Sequence, residues 1–195
     1  MPLNIGENPS QVEEIRVASE LLHDGKYRDA YEHFLSLAQR GSTMAWFNLG
    51  WMYHTGTGVD KDLDKAKQYY QQAADSGSPI ARHYLGTLYR AKGSFNDALH
   101  WFELAAKDGY LPSIYWAGSM YLLGEGISQD VKKAEIYLRT ATEKGHVYAR
   151  RDLALALIKG SFGHREIVKG VFEWLGSIIA GMRLGAREPQ SEQLM

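Results

Sequence analysis

The feature that most constrains this chain is its likeness to itself. Leu49-Gly50, Leu85-Gly86, Ala117-Gly118 and Leu153-Ala154 fall into register at spacings of 36, 32 and 36 residues. Three residues beyond each pair stand Tyr53, Tyr89, Tyr121 and Leu157. Farther on, Lys65-Ala66, Asp97-Ala98, Lys133-Ala134 and Lys169-Gly170 align, then Tyr70, Phe102, Leu138 and Trp174, then Gly77, Gly109, Gly145 and Gly181. An earlier unit fits the same frame through Ala18, Leu21, Gly25, Ala30, Phe34, Ala38 and Gly41. A period of this length means supersecondary units that bury their apolar faces against one another.

Within each copy the apolar residues recur at helical spacing, as in Tyr69, Tyr70, Ala73 and Ala74. The small residues have a steric reason: Gly50, Gly86, Ala66 and Ala98 let two antiparallel helices approach, while Tyr53 or Tyr89 fills the space beside them. Gly41, Gly77, Gly109 and Gly145 stand where a left-handed residue ends a helix, and Asp62 and Asp130 stand where a side chain caps the next one. First helices are expected near 10–23, 44–55, 79–91, 112–123 and 147–158, and second helices near 27–40, 63–76, 95–108, 131–144 and 165–182. The fold class is all-α, an α/α superhelical solenoid of about five helix–turn–helix hairpins. The expected organisation is a flexible N-terminus over 1–9 and one repeat domain over 10–184, with units near 10–42, 44–78, 79–111, 112–146 and 147–182. A flexible tail over 185–195 completes it.

The copy from Ala45 to Gly77 reads A-x3-LG-x-MY-x2-G-x-GV-x2-D-x2-KA-x2-YY-x2-AA-x2-G and resembles the Sel-one-like repeat, a relative of the tetratricopeptide repeat. The copy from Ser113 to Gly145 is similar, with GEGISQDVKKA in place of GTGVDKDLDKA. The copies beginning near Val12 and Ile80 lack the inter-helix insertion and resemble plain tetratricopeptide units, while the last keeps the insertion length but loses the Tyr and the Gly-x-Gly pair. The resemblance spans residues 10–182. It implies an adaptor scaffold for multiprotein assemblies, in bacteria often serving secretion, envelope or host-contact functions.

Several classes of function find no support in the residues. An apolar fraction of 45% excludes a disordered chain, and the absence of cysteine excludes a disulfide framework or a thiolate metal site. A net charge of −1 argues against a general nucleic-acid binder. Gly56-Thr57-Gly58 and Gly124-Glu125-Gly126 follow helices rather than strands, so they read as tight turns and not as phosphate cradles. Asp60, Asp62 and Asp64 imitate the start of a calcium loop, but Lys65 and Gln71 stand where that loop needs Gly and Glu. No two of the seven histidines share a helix face at i, i+3 or i, i+4, and no nucleophile motif occurs. No enzyme activity, cofactor or metal is expected. The opening MPLNIGENPSQVEE has neither a basic nor an apolar leader region, and the apolar run from Trp174 to Met182 is too short to span a membrane. The expected location is the cytoplasm, with membrane-peripheral docking as a variant.

In tetratricopeptide-like stacking the first helix of each hairpin lines an inner groove. Counting from the Leu-Gly pair gives Phe47, Trp51 and His54, then His83, Thr87 and Arg90, then Tyr115, Ser119 and Leu122, with Arg151, Leu155, Ile15, Ser19 and Leu22 flanking them. Aromatics beside Arg and His suit a groove that holds a peptide or protein partner, since such residues dominate interface energetics. The alternative is that Phe47 and Trp51 pack between hairpins as core. Residues 131–187 hold 11 basic and 5 acidic side chains, against 11 and 16 in residues 1–130. That basic stretch carries Val168, Phe172, Leu175, Ile179 and Met182, which read either as a cap under the preceding hairpin or as a homodimer, partner or membrane surface.

Overall fold

The computed structural model describes residues 9–159, 161–162, 171–172, 174–176 and 178–179. The chain divides between Tyr110 and Leu111 into two compact units. The first holds α1 (Pro9–His23), α2 (Tyr27–Gln39), α3 (Thr43–Thr55), α4 (Leu63–Asp75), α5 (Pro79–Ala91) and α6 (Phe95–Lys107). The second holds α7 (Leu111–Leu123), α8 (Val131–Glu143) and α9 (Val147–Ile158). Among the described residues there is no strand. Within each unit every helix packs on the next in sequence, as hairpins stacked in an α/α solenoid do. Helices α1 to α9 agree with those expected from the repeat register to within one or two residues at each end. The expected helix near 165–182 lies largely outside the described residues, although 171–172, 174–176 and 178–179 are helical. Residues 1–8 and the tail at 185–195 lie outside them as well, and Pro9 opens α1.

The repeat signature is a packing rule. Each second helix buries a narrow face: Ala66, Tyr70, Ala73 and Ala74 on α4, Ala98, Leu99, Phe102 and Ala105 on α6, and Ala134, Leu138 and Ala141 on α8. These positions follow the i, i+4, i+7 spacing that puts side chains on one side of a helix. The bulky member of each set, Tyr70, Phe102 or Leu138, is fully buried. Burying one such side chain stabilises a fold by roughly 1.5–3 kcal/mol. What admits it is the missing side chain opposite. A Cβ on Gly50 would stand 2.6 Å from Tyr70, one on Gly86 2.6 Å from Phe102, and one on Gly118 2.9 Å from Tyr137.

Helix ends follow the same economy. Asp62 accepts hydrogen bonds from the backbone N–H groups of Asp64 and Lys65 at 3.0 and 2.9 Å, and Asp130 accepts one from Lys133 at 3.0 Å. Ser42 and Ser78 cap α3 and α5 in the same manner. Gly41, Gly77, Gly109 and Gly145 adopt φ values of +83°, +91°, +81° and +87°, a region where a side chain is strained. The two copies with the longer inter-helix loop share one further device. Tyr53 stacks on Tyr69 at 5.7 Å with Lys65 above it at 5.0 Å, and Tyr121 stacks on Tyr137 at 6.1 Å with Lys133 above it at 4.7 Å. In each, the capping Asp returns its own N–H to the tyrosine carbonyl, from Asp62 to Tyr53 at 2.9 Å and from Asp130 to Tyr121 at 3.1 Å. A cation over a ring closes the loop against the hairpin it leaves.

Candidate functional site

In the first unit three of the expected positions, Phe47, His54 and His83, gather into one aromatic wall. Phe47 lies 5.8 Å from Tyr70 and 5.4 Å from Tyr84, measured between ring centroids. His54 meets Tyr70 and Tyr84 edge-on, and its Nδ1 lies 3.3 Å from the Tyr70 hydroxyl. His83 continues the wall onto Tyr84, Phe102 and Tyr110. Burial disfavours the charged imidazolium, so the His83 pKa falls to about 4 and that of His54 falls too, the latter aided by Lys61. At neutral pH both rings are uncharged members of the stack. Trp51 is half-buried and packs against both hydrophobic clusters of the unit. Thr87 is turned back to its own helix, donating to the Tyr84 carbonyl at 2.7 Å, and Arg90 is half-buried near the end of α5. On α1, Ile15 and Leu22 pack on the first cluster, and Ser19 donates to the Ile15 carbonyl at 2.7 Å.

In the second unit five of the expected positions line a single cleft. Tyr115, Ser119 and Leu122 of α7 face Arg151, Asp152 and Leu155 of α9 across a cavity of about 440 Å³. Leu123, Gln129, Ala156, Lys159 and Ser161 complete the lining. Ser119 is buried, whereas Leu123 is 69% and Leu155 39% exposed. The Tyr115 hydroxyl donates to Asp152 at 2.9 Å, and Arg151 Nε donates to the other carboxylate oxygen, also at 2.9 Å. His146 lies flat against Tyr115 with centroids 4.4 Å apart, and its Nδ1 accepts from the Ala149 N–H at 3.2 Å, capping α9. Partial burial and the Asp152 carboxylate push the Tyr115 pKa up to about 12, and desolvation lowers that of His146. The cleft therefore has a lining that is half apolar and half polar, a carboxylate already bonded twice, and cations beside it.

Position counting missed Tyr84, which touches more of the aromatic wall than any expected residue. It missed Asp152 and Lys159 as well. Tyr84 and Asp152 each stand one residue beyond an expected one, His83 and Arg151, so a window of two adjacent positions would have found both. Among the expected C-terminal residues, Phe172, Leu175 and Ile179 are 71%, 45% and 52% exposed, while Val168 and Met182 lie outside the described residues. Among the described residues no three acidic or histidine side chains stand together as metal ligands, and no helix is long and apolar enough to cross a membrane.

Comparison with known proteins adds three findings. The family model described as the Sel1 repeat matches residues 44–78, 79–110 and 111–146, so the copy near Ile80 that resembles a plain tetratricopeptide unit is matched as well. Cytochrome c oxidase assembly factor 7 of Xenopus tropicalis is 33% identical over 116 residues, covering 54% of this chain and 50% of the relative. The DAP3-binding cell death enhancer 1 of Rattus norvegicus is 27% identical over 158 residues, covering 60% of this chain and 31% of the relative. The chain thus spans half or less of these curated relatives. Among solved structures, a Sel1 repeat protein from Oxalobacter formigenes superposes with a TM-score of 0.77 at 25% identity, covering 86% of this chain and 68% of that one.

Proposed function

The chain belongs to the Sel1 repeat family, whose members bind other proteins, and from that premise we propose that it is a non-enzymatic adaptor gripping a partner polypeptide on the inner faces of its first helices. The observation that carries this reading is the α7–α9 cleft, where Tyr115, Leu122, Leu155 and Arg151 surround an open space rather than each other. Concave, mostly apolar sites with a few fixed polar groups are where proteins take ligands. The Tyr115–Asp152–Arg151 bonds hold the polar groups in place before any partner arrives, which lowers the ordering cost of binding. In the first unit the Phe47–Tyr84–His83 wall supplies a second, stiffer face for the same purpose. The names of the two curated relatives, one binding DAP3 and one assembling an oxidase, are in keeping with an adaptor.

The test is a comparison of partners recovered from source-cell lysate by the wild-type chain and by a Leu122→Glu/Leu155→Glu variant with unchanged helicity. A protein recovered only by the wild type supports the reading. Identical recoveries would remove the cleft from it.

One observation favours a second reading, self-association. Phe172, Leu175 and Ile179 stand at i, i+3 and i+7, one face of a helix, and all three are exposed. Light scattering on the wild type and on Phe172→Glu/Leu175→Glu distinguishes them: a dimer that the variant abolishes would make this face a self-association surface.

A further inference from the structure

We propose that the α7–α9 cleft selects a partner segment in which a bulky apolar side chain stands beside a carboxylate. The proposal rests on the adaptor reading and says which chemistry the adaptor accepts. Leu122, Leu123 and Leu155 supply the apolar part of the cleft lining, with Leu123 and Leu155 exposed, and about 440 Å³ is room for a large side chain with its flanking backbone. Burying that side chain is the source of affinity.

The choice of a neighbouring acid comes from how the charges of the cleft are disposed. Asp152, the only acidic lining residue among the described residues, has one carboxylate oxygen bonded to the Tyr115 hydroxyl and the other to Arg151, so its charge is already partnered within the protein. Arg151 is held in turn by Asp152 and lies over the Tyr148 ring at 5.3 Å. Lys159 is differently placed. It lies four residues beyond Leu155, one turn on along the same face of the cleft lining, and it is exposed. A segment whose apolar side chain rests on Leu155 therefore brings its next side chains near this ammonium group. A carboxylate there gains an ion pair, while a lysine or arginine meets like charge. The surrounding sequence points the same way, with 11 basic against 5 acidic residues over 131–187.

The experiment selects peptides from a displayed random library on the full chain, with parallel selections on Leu155→Glu and Lys159→Ala. Peptides recovered by the wild type and lost with Leu155→Glu are synthesised, and each acidic residue is changed to its amide. The expected set pairs Leu, Phe or Trp with Asp or Glu. The amide change should weaken binding to the wild type about threefold at low salt, less at high salt, and leave binding to Lys159→Ala unaltered. Leu155-dependent peptides with no acidic preference, or an amide effect that persists in Lys159→Ala, would overturn the inference and leave the adaptor reading standing. If no selected peptide depended on Leu155, the inference would fall and the cleft would leave the adaptor reading with it.

Discussion

Tyr115 and Asp152 join the two walls of the cleft, the phenol of α7 donating to the carboxylate of α9 at 2.9 Å. The acceptor side chain is 18% exposed, so little water competes for it. Tyr115→Phe keeps the ring against His146 but removes the donor, and should cost about 1 kcal/mol in denaturant unfolding. The same bond has an alkaline signature. Because the folded-state pKa of Tyr115 is raised from 10.0 to about 12, its contribution is complete below pH 10 and is lost as pH rises through 12. Burial moves Tyr53 and Tyr70 in the same direction. Unfolding midpoints should therefore fall above pH 10, less steeply in Tyr115→Phe.

At the acid end the sign reverses. His83 sits among Tyr84, Phe102 and Tyr110 with its pKa lowered from 6.5 to about 4. The unfolded chain binds the proton first, so the contribution of His83 is present above pH 6.5 and is lost as pH falls through 4. The loss across that window should be on the order of 3 kcal/mol. His83→Gln, compared with wild type by urea unfolding at pH 7 and pH 4.5, should show the smaller pH dependence. Equal slopes would place His83 in water.

The helix crossings make the sharpest stability prediction. A methyl group on Gly86 would stand 2.6 Å from the fully buried Phe102 ring. Gly86→Ala should destabilise the chain by about 1–3 kcal/mol, although alanine favours a helix over glycine. A stabilised variant in thermal unfolding would mean that α5 and α6 do not approach so closely.

That same crossing explains what was legible in the sequence. Gly50, Gly86 and Gly118 recur because a ring or a leucine must pass over each of them, so the hairpins, their ends and their register could be read from spacing alone. The candidate site was less legible. Phe47 and Trp51 hold equivalent status by counting with Tyr115 and Ser119, yet Phe47 faces Tyr70 and Tyr84 while Tyr115 borders an open cleft. Whether an inner position meets a ring or a space depends on the residue facing it from the neighbouring hairpin, and that pairing has no fixed spacing. His146 shows a similar limit, because an imidazole doing the work of a serine cap has no propensity signal.

Caps allow a paired comparison. Asp62 bonds two backbone N–H groups of α4, whereas Ser94, at the equivalent end of α6, makes no side-chain cap bond. Asp62→Ala should cost about 1 kcal/mol in thermal or urea unfolding. Ser94→Ala should fall within about 0.5 kcal/mol of wild type.

An adaptor of this kind holds its partner polypeptide in the space between α7 and α9. A photo-crosslinking amino acid in place of Leu155, set against the same residue in place of exposed His100 on α6, tests it in source-cell lysate. A discrete adduct between this chain and another protein is expected from position 155 and none from position 100. No adduct at 155, or the same adducts from both positions, would contradict it.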